Sequence, residues 1–131
     1  MNRSAPQALV LIVDDDEMIT TLLLRQLRRL EMNGHACHTI DSAMREIAGR
    51  SDDYCLAIVD YSMPDGNGLT LARQIHSLAP HLPIVLSSGD DSCIRDIELR
   101  DFGIVEFAPK PMTNDQFTRL IQERISLQKP S

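Results

Sequence analysis

The chain has 131 residues, 43% hydrophobic and 24% charged, with a formal net charge of −6. That length fits one domain with an ordinary core, and the acidic balance excludes a general binder of nucleic acid or anionic membrane. Three scattered cysteines, Cys37, Cys55 and Cys93, imply no disulfide framework, no apolar run approaches the about 20 residues of a membrane span, and the polar start lacks the apolar centre of a signal peptide. A soluble, cytoplasmic domain is expected, without direct DNA binding and without a membrane.

The first strand is expected at Leu9–Val13, a short apolar run. A helix over 18–30 carries Ile19, Leu22, Leu23, Gln26, Leu27 and Leu30 on one stripe, with Arg25, Arg28 and Arg29 largely outside it. Asn33-Gly34 is a candidate stop for that helix. A weak strand over 35–40 follows, then a short helix to Ala48 capped by Asp41 or Ser42. Residues 56–59 form a continuous apolar strand, central and buried on both faces. The Pro- and Gly-rich stretch 60–68 turns sharply into a helix over 69–78. Strand four follows Pro83. A polar, poorly striped helix is expected over 91–100, then a fifth strand over 104–107. Thr113 and Gln116 form a capping box opening a last helix with Phe117, Leu120, Ile121 and Ile125 on its stripe. The polar ends, 1–8 and 128–131, read as tails around a single domain over 9–127.

Five β-α units point to a doubly wound, flavodoxin-like parallel sheet of order 2-1-3-4-5 with about five helices. In such a sheet the residues following the strands gather at one edge, where ligands bind. Asp14-Asp15-Asp16 follows the first strand, Asp60 the third, Ser87-Ser88-Gly89 the fourth and Lys110 the fifth. Crowded carboxylates repel one another, and a shared cation relieves this. Mg²⁺ suits the set, since it takes a few carboxylates and keeps phosphate oxygens among its ligands. Asp60 can then attack phosphorus, Lys110 can offset charge on the arriving group, and the Ser88 hydroxyl can donate to it.

Taken singly, each feature has an ordinary explanation. An Asp run after a strand often caps a helix, and Asp16 is best read that way. Asp60 could be a turn residue, Lys110 a solvated lysine, Ser88 a strand-end serine. Their joint occurrence at matching strand ends outweighs those explanations. His35, Cys37 and His38 match no zinc spacing.

The motifs Val13-Asp14-Asp15, Asp60 through Gly68 (DYSMPDGNG), Leu86-Ser87-Ser88-Gly89 and Phe107-Ala108-Pro109-Lys110-Pro111 resemble those of the CheY-like response-regulator receiver domains of two-component signalling, across nearly the whole chain. The resemblance implies that Asp60 is the phosphoacceptor. It implies that Asp15 and Asp60 ligate Mg²⁺, with Asp14 acting through water and Ser62 through its backbone carbonyl. Ser88 would be the switch hydroxyl, Phe107 the switch aromatic and Lys110 the partner of the phosphoryl group. Ser62 and Asp90 would tune the lifetime of the phosphorylated state, and Lys110-Pro111 would be a cis peptide. The phosphodonor would be a sensor histidine kinase or a histidine phosphotransfer protein. A downstream protein target would use the face of helix 91–100, strand 104–107 and helix 113–125.

Gly89, Phe107 and Pro109 depart from the commonest family pattern, which has Ala, often Tyr, and no proline there. Phe107 without a hydroxyl must switch by packing, or serve the core alone. Two alternatives stand beside the switch. One is an aspartate-nucleophile phosphatase, against which Ser62 counts, because those enzymes carry a second Asp at that place. The other is a phosphorylation-independent pseudo-receiver, against which the intact acidic set and Lys110 count. As a regulatory domain, the chain would do no more chemistry than self-transfer and slow autodephosphorylation.

Overall fold

The computed structural model describes residues 9–128. The expected tails lie outside them, apart from Gln128, where the last helix ends. Strand β1 (Leu9–Val13) leads through Asp14 to Asp16 into α1 (Glu17–Arg29), and β2 (Asn33–Cys37) leads into α2 (Ile40–Arg50). A short 3-10 turn precedes β3 (Tyr54–Asp60). Two residue pairs, β4 (Ser62–Met63) and β5 (Gly66–Asn67), make a small antiparallel hairpin before α3 (Gly68–Leu78). Strands β6 (Ile84–Ser88) and β7 (Ile104–Pro109) and helix α4 (Asn114–Gln128) complete the order.

The five long strands form one parallel sheet in the order β2-β1-β3-β6-β7, which is 2-1-3-4-5 when the hairpin is left out. Alternation along the strands divides the core into two layers. Leu11, Val13, Ala57, Val59, Ile84 and Leu86 face one side with Ile47, Leu71 and Ile75 of α2 and α3. Val10, Ile12, Leu56, Ile58 and Val85 face the other with Leu27 of α1 and Phe117, Leu120 and Ile121 of α4. Strand β3 is central and buried nearly throughout, as its unbroken apolar run requires. Strand β7 is an edge, where Pro109 forfeits no ladder bond that a neighbour needs.

Local rules account for most of the helix ends. Asp16 caps α1, its Oδ1 accepting from the Met18 and Ile19 amides at 3.0 and 3.2 Å. Thr113 and Gln116 form the capping box of α4, with bonds of 3.1 and 2.8 Å. The stop expected at Asn33-Gly34 is corrected. Helix α1 ends at Arg29, Glu31 takes the left-handed backbone at φ 62°, and Asn33 and Gly34 already belong to β2. Gly34 packs closely there: a Cβ would lie 2.6 Å from Leu27 Cδ1 and 2.8 Å from Leu24 Cδ2, so those leucine methyls would have to shift to admit one. Helix α2 is capped by Thr39, two or three residues earlier than Asp41 or Ser42 would place it, and it runs on to Arg50.

The expected helix over 91–100 does not form. Two 3-10 turns, Asp91–Ile94 and Leu99–Phe102, occupy the segment, so among the described residues four α-helices flank the sheet rather than about five. The segment has too few apolar residues at helical spacing to bury a stripe. Asp90 also caps the first turn locally, its Oδ1 accepting from Ser92 N at 2.9 Å, which competes with helical bonding. Gly103, at φ 74°, closes the second turn and turns the chain into β7.

Candidate functional site

Parallel register brings four strand ends together. Val13 pairs with Val59, Asp60 with Ser87, and Ser87 with Ala108. Asp14 therefore leaves β1 beside Asp60 at the end of β3, and Lys110 leaves β7 just beyond Ser88. Backbone bonds fix these exits: Asp14 N donates to Cys37 O at 3.1 Å, Tyr61 N to Ser87 O at 2.8 Å, and Lys110 N to Ser88 O at 2.9 Å.

Asp14 and Asp60 are buried and Asp15 is exposed, and one carboxylate oxygen from each lies within 4.8 Å of the others. Among the described residues this is the one such set of metal-ligating side chains; His35, Cys37 and His38 form none. The Lys110 ammonium bridges the two buried acids, with Nζ 2.8 Å from Asp14 Oδ2 and 3.2 Å from Asp60 Oδ2. The remaining oxygens accept backbone bonds, Asp14 Oδ1 from Asp16 N at 3.0 Å and Asp60 Oδ1 from Ser62 N at 3.4 Å. Burial pushes the Asp60 carboxyl above the usual carboxylate value. Lys110 opposes that rise and the charge of Asp14 adds to it. Burial alone would pull the Lys110 ammonium down, but its bond to Asp14 and the two negative charges hold it above the ordinary lysine value. Three hard oxygen donors around one space, two of them desolvated, fit Mg²⁺.

The hydroxyl expected to switch is not turned toward the acids. Ser88 Oγ donates to Asp90 O at 3.1 Å and accepts from Asp90 N at 3.2 Å, so it is held by its own loop. Phe107 is half-buried on β7, paired with Leu86 and packed against the core layer of α2 and α3. The Lys110-Pro111 bond is cis.

Two residues at the site escaped the sequence reading. Ser87 is buried with no hydrogen-bond partner for its hydroxyl among the described residues, and it lines a cavity of about 450 Å³ with Asp14, Asp60 and Lys110. Its neighbour Ser88 drew the attention, and only the strand register shows which serine faces the cavity. Asp65, at the tip of the hairpin, accepts from Ile40 N at 2.9 Å and from Asp41 N at 3.1 Å. Its position in a Pro-Asp-Gly turn carries no signal of a contact so far back in the chain.

A family model described as the response regulator receiver domain matches residues 10–122. The DNA-binding transcriptional regulator NtrC of Azospirillum brasilense is 32% identical over 126 residues, covering 94% of this chain and 25% of that protein. The chain thus spans about a quarter of the length of that relative. The non-phosphorylated HemR receiver domain from Leptospira biflexa superimposes with a TM-score of 0.82 at 28% identity, covering 95% of this chain and 99% of that one. A CheY-like receiver domain protein from Methanospirillum hungatei JF-1 superimposes with a TM-score of 0.85 at 23% identity, covering 93% and 96% of the two chains, and supports the fold. The sheet order, the acidic pocket at its carboxyl edge and the matched span agree: the chain belongs to the response regulator receiver domains of two-component systems, a family of regulatory domains.

Proposed function

We propose that the domain is a phosphoacceptor switch in which Asp60 takes a phosphoryl group from a phosphohistidine donor and the protein's partner-binding face changes in response. The observation that carries this is the setting of Asp60. It is a buried carboxylate at the end of the central strand, facing Asp14, with the Lys110 ammonium 3.2 Å from its Oδ2. A carboxylate stripped of water is a better nucleophile than a solvated one. The P–N bond to the donor imidazole breaks as the Asp60 oxygen bonds to phosphorus, and the imidazole keeps the electron pair and takes a proton from water.

Asp15, Asp60 and the Ser62 carbonyl would hold Mg²⁺ directly, with Asp14 acting through water, and the ion would neutralise charge on the incoming group. Lys110 supplies the second positive charge. The Ser88 hydroxyl leaves Asp90 for a phosphoryl oxygen, a stronger acceptor than a backbone carbonyl. Phe107 then repacks beside β7. The face that changes comprises the 3-10 segment from Asp91, β7 and α4, and a segment with only short 3-10 turns and no α-helical ladder has little to resist such movement. The donor is a sensor histidine kinase or a histidine phosphotransfer protein in the cytoplasm, and the target is a protein.

Incubation with acetyl phosphate and Mg²⁺, followed by intact mass measurement, tests the proposal. Wild type should gain one phosphoryl group, and Asp60→Asn or chelation of the metal should abolish the gain. Equal gain in wild type and Asp60→Asn would reject Asp60 as acceptor.

A further inference from the structure

The hairpin that follows Asp60 is tied at both ends. At its base, Ser62 N reaches Asp60 Oδ1 at 3.4 Å, and Met63 is buried in the core. Ser62 pairs with Asn67 and Met63 with Gly66, so the two sides of the hairpin move together. At its tip, the Asp65 carboxylate crosses to another element and accepts the Ile40 and Asp41 amides at 2.9 and 3.1 Å. These are the first two amides of α2, which have no partner inside the helix. Thr39 serves the third, accepting from Ser42 N at 3.0 Å, so the two caps divide the helix start between them. The tip approaches α2 closely: a Cβ on Gly66 would lie 2.8 Å from Ile40 Cδ1.

From this geometry we infer that Asp65 is a positioning residue for the metal site: by clamping the hairpin tip onto α2, it holds in place the peptide that carries the Ser62 carbonyl. The inference rests on the proposed metal-dependent phosphoryl transfer and adds a residue to it. A two-stranded hairpin this short has little stability of its own. Without the clamp, the peptide carrying the Ser62 carbonyl is held by Met63, by one long bond to Asp60 and by the two-residue pairing of the hairpin itself. Ordering that peptide then falls on the metal, and affinity drops. The clamp also runs in the other direction. Any shift of the hairpin on metal binding pulls on the Ile40 and Asp41 amides, giving α2 a direct mechanical link to the pocket.

Magnesium titration of the full chain, followed by amide resonances, tests this with two variants. Asp65→Ala cuts the clamp and leaves Asp14, Asp15 and Asp60 in place. Thr39→Ala weakens the start of α2 and leaves the clamp. Asp65→Ala should bind Mg²⁺ about 10-fold more weakly, the low end of the loss seen when support behind a metal ligand is removed. Thr39→Ala should bind as wild type does. In wild type the Ile40 and Asp41 amides should shift on metal addition, and in Asp65→Ala their response should vanish. An unchanged affinity in Asp65→Ala, or an equal loss in Thr39→Ala, would overturn the inference while leaving the metal site standing. Failure of wild type to bind Mg²⁺ at all would overturn both.

Discussion

Lys110 lies closer to Asp14, at 2.8 Å, than to Asp60, at 3.2 Å. In this state its charge is shared between two buried carboxylates, one of which is the proposed acceptor. The ammonium therefore occupies the electrostatic role that a divalent ion would take over. Lys110→Ala should lower stability by about 2 kcal/mol in metal-free buffer, since two desolvated acids lose their counter-charge. Added Mg²⁺ should recover part of that loss, and it should bind the variant more tightly than wild type because no ammonium competes. Urea unfolding with and without Mg²⁺ measures this. Equal stability of variant and wild type in metal-free buffer would mean that the bridge contributes nothing.

Ser87 leads to an opposite expectation. Its buried hydroxyl has no hydrogen-bond partner among the described residues, so Ser87→Ala removes no bond to them. Stability should stay level or rise by up to about 1 kcal/mol. Denaturant midpoints decide it, and a clear loss would show that the hydroxyl holds a bond in solution.

Asp65 provides a pH test away from the acidic pocket. The Ile40 amide first, with Asp41 adding to it, holds its carboxyl below the ordinary Asp value. A depressed carboxyl stabilises the fold when ionised. That contribution is complete above the unfolded pKa of about 3.9 and is lost as pH falls through the lower folded value. The Ile40 amide shift should therefore titrate with a midpoint below that of a free Asp, and in Asp65→Ala the transition should be absent. A midpoint at or above the free value would show that the clamp does not form.

The strand ends were the most legible part of the chain. Leu56-Ala57-Ile58-Val59 is apolar without a break, so it could only be central, and Asp60 had to stand at its end. The same reasoning set Asp14 and Lys110 at neighbouring strand ends, and in the structure Lys110 Nζ lies 2.8 Å from Asp14 Oδ2 and 3.2 Å from Asp60 Oδ2. What failed was local helix reasoning where tertiary contacts or competing bonds decide. The stretch from Asp91 to Arg100 looked like a poor helix and is none, because Asp90 caps a tight turn and little apolar surface follows. Glu31 gave no sign of a left-handed backbone, a conformation more typical of Gly or Asn. The Asp65 clamp could not be read from sequence at all, since it joins residues 24 and 25 positions apart through an ordinary-looking turn.

Localising the acyl phosphate tests the central claim most directly. Borohydride converts a phosphorylated aspartate to homoserine, and peptide sequencing by mass spectrometry then reads its position. After treatment with acetyl phosphate and Mg²⁺, homoserine should appear at position 60 and at no other aspartate. Conversion at Asp14 or Asp15, or none anywhere in protein that binds Mg²⁺, would contradict the account.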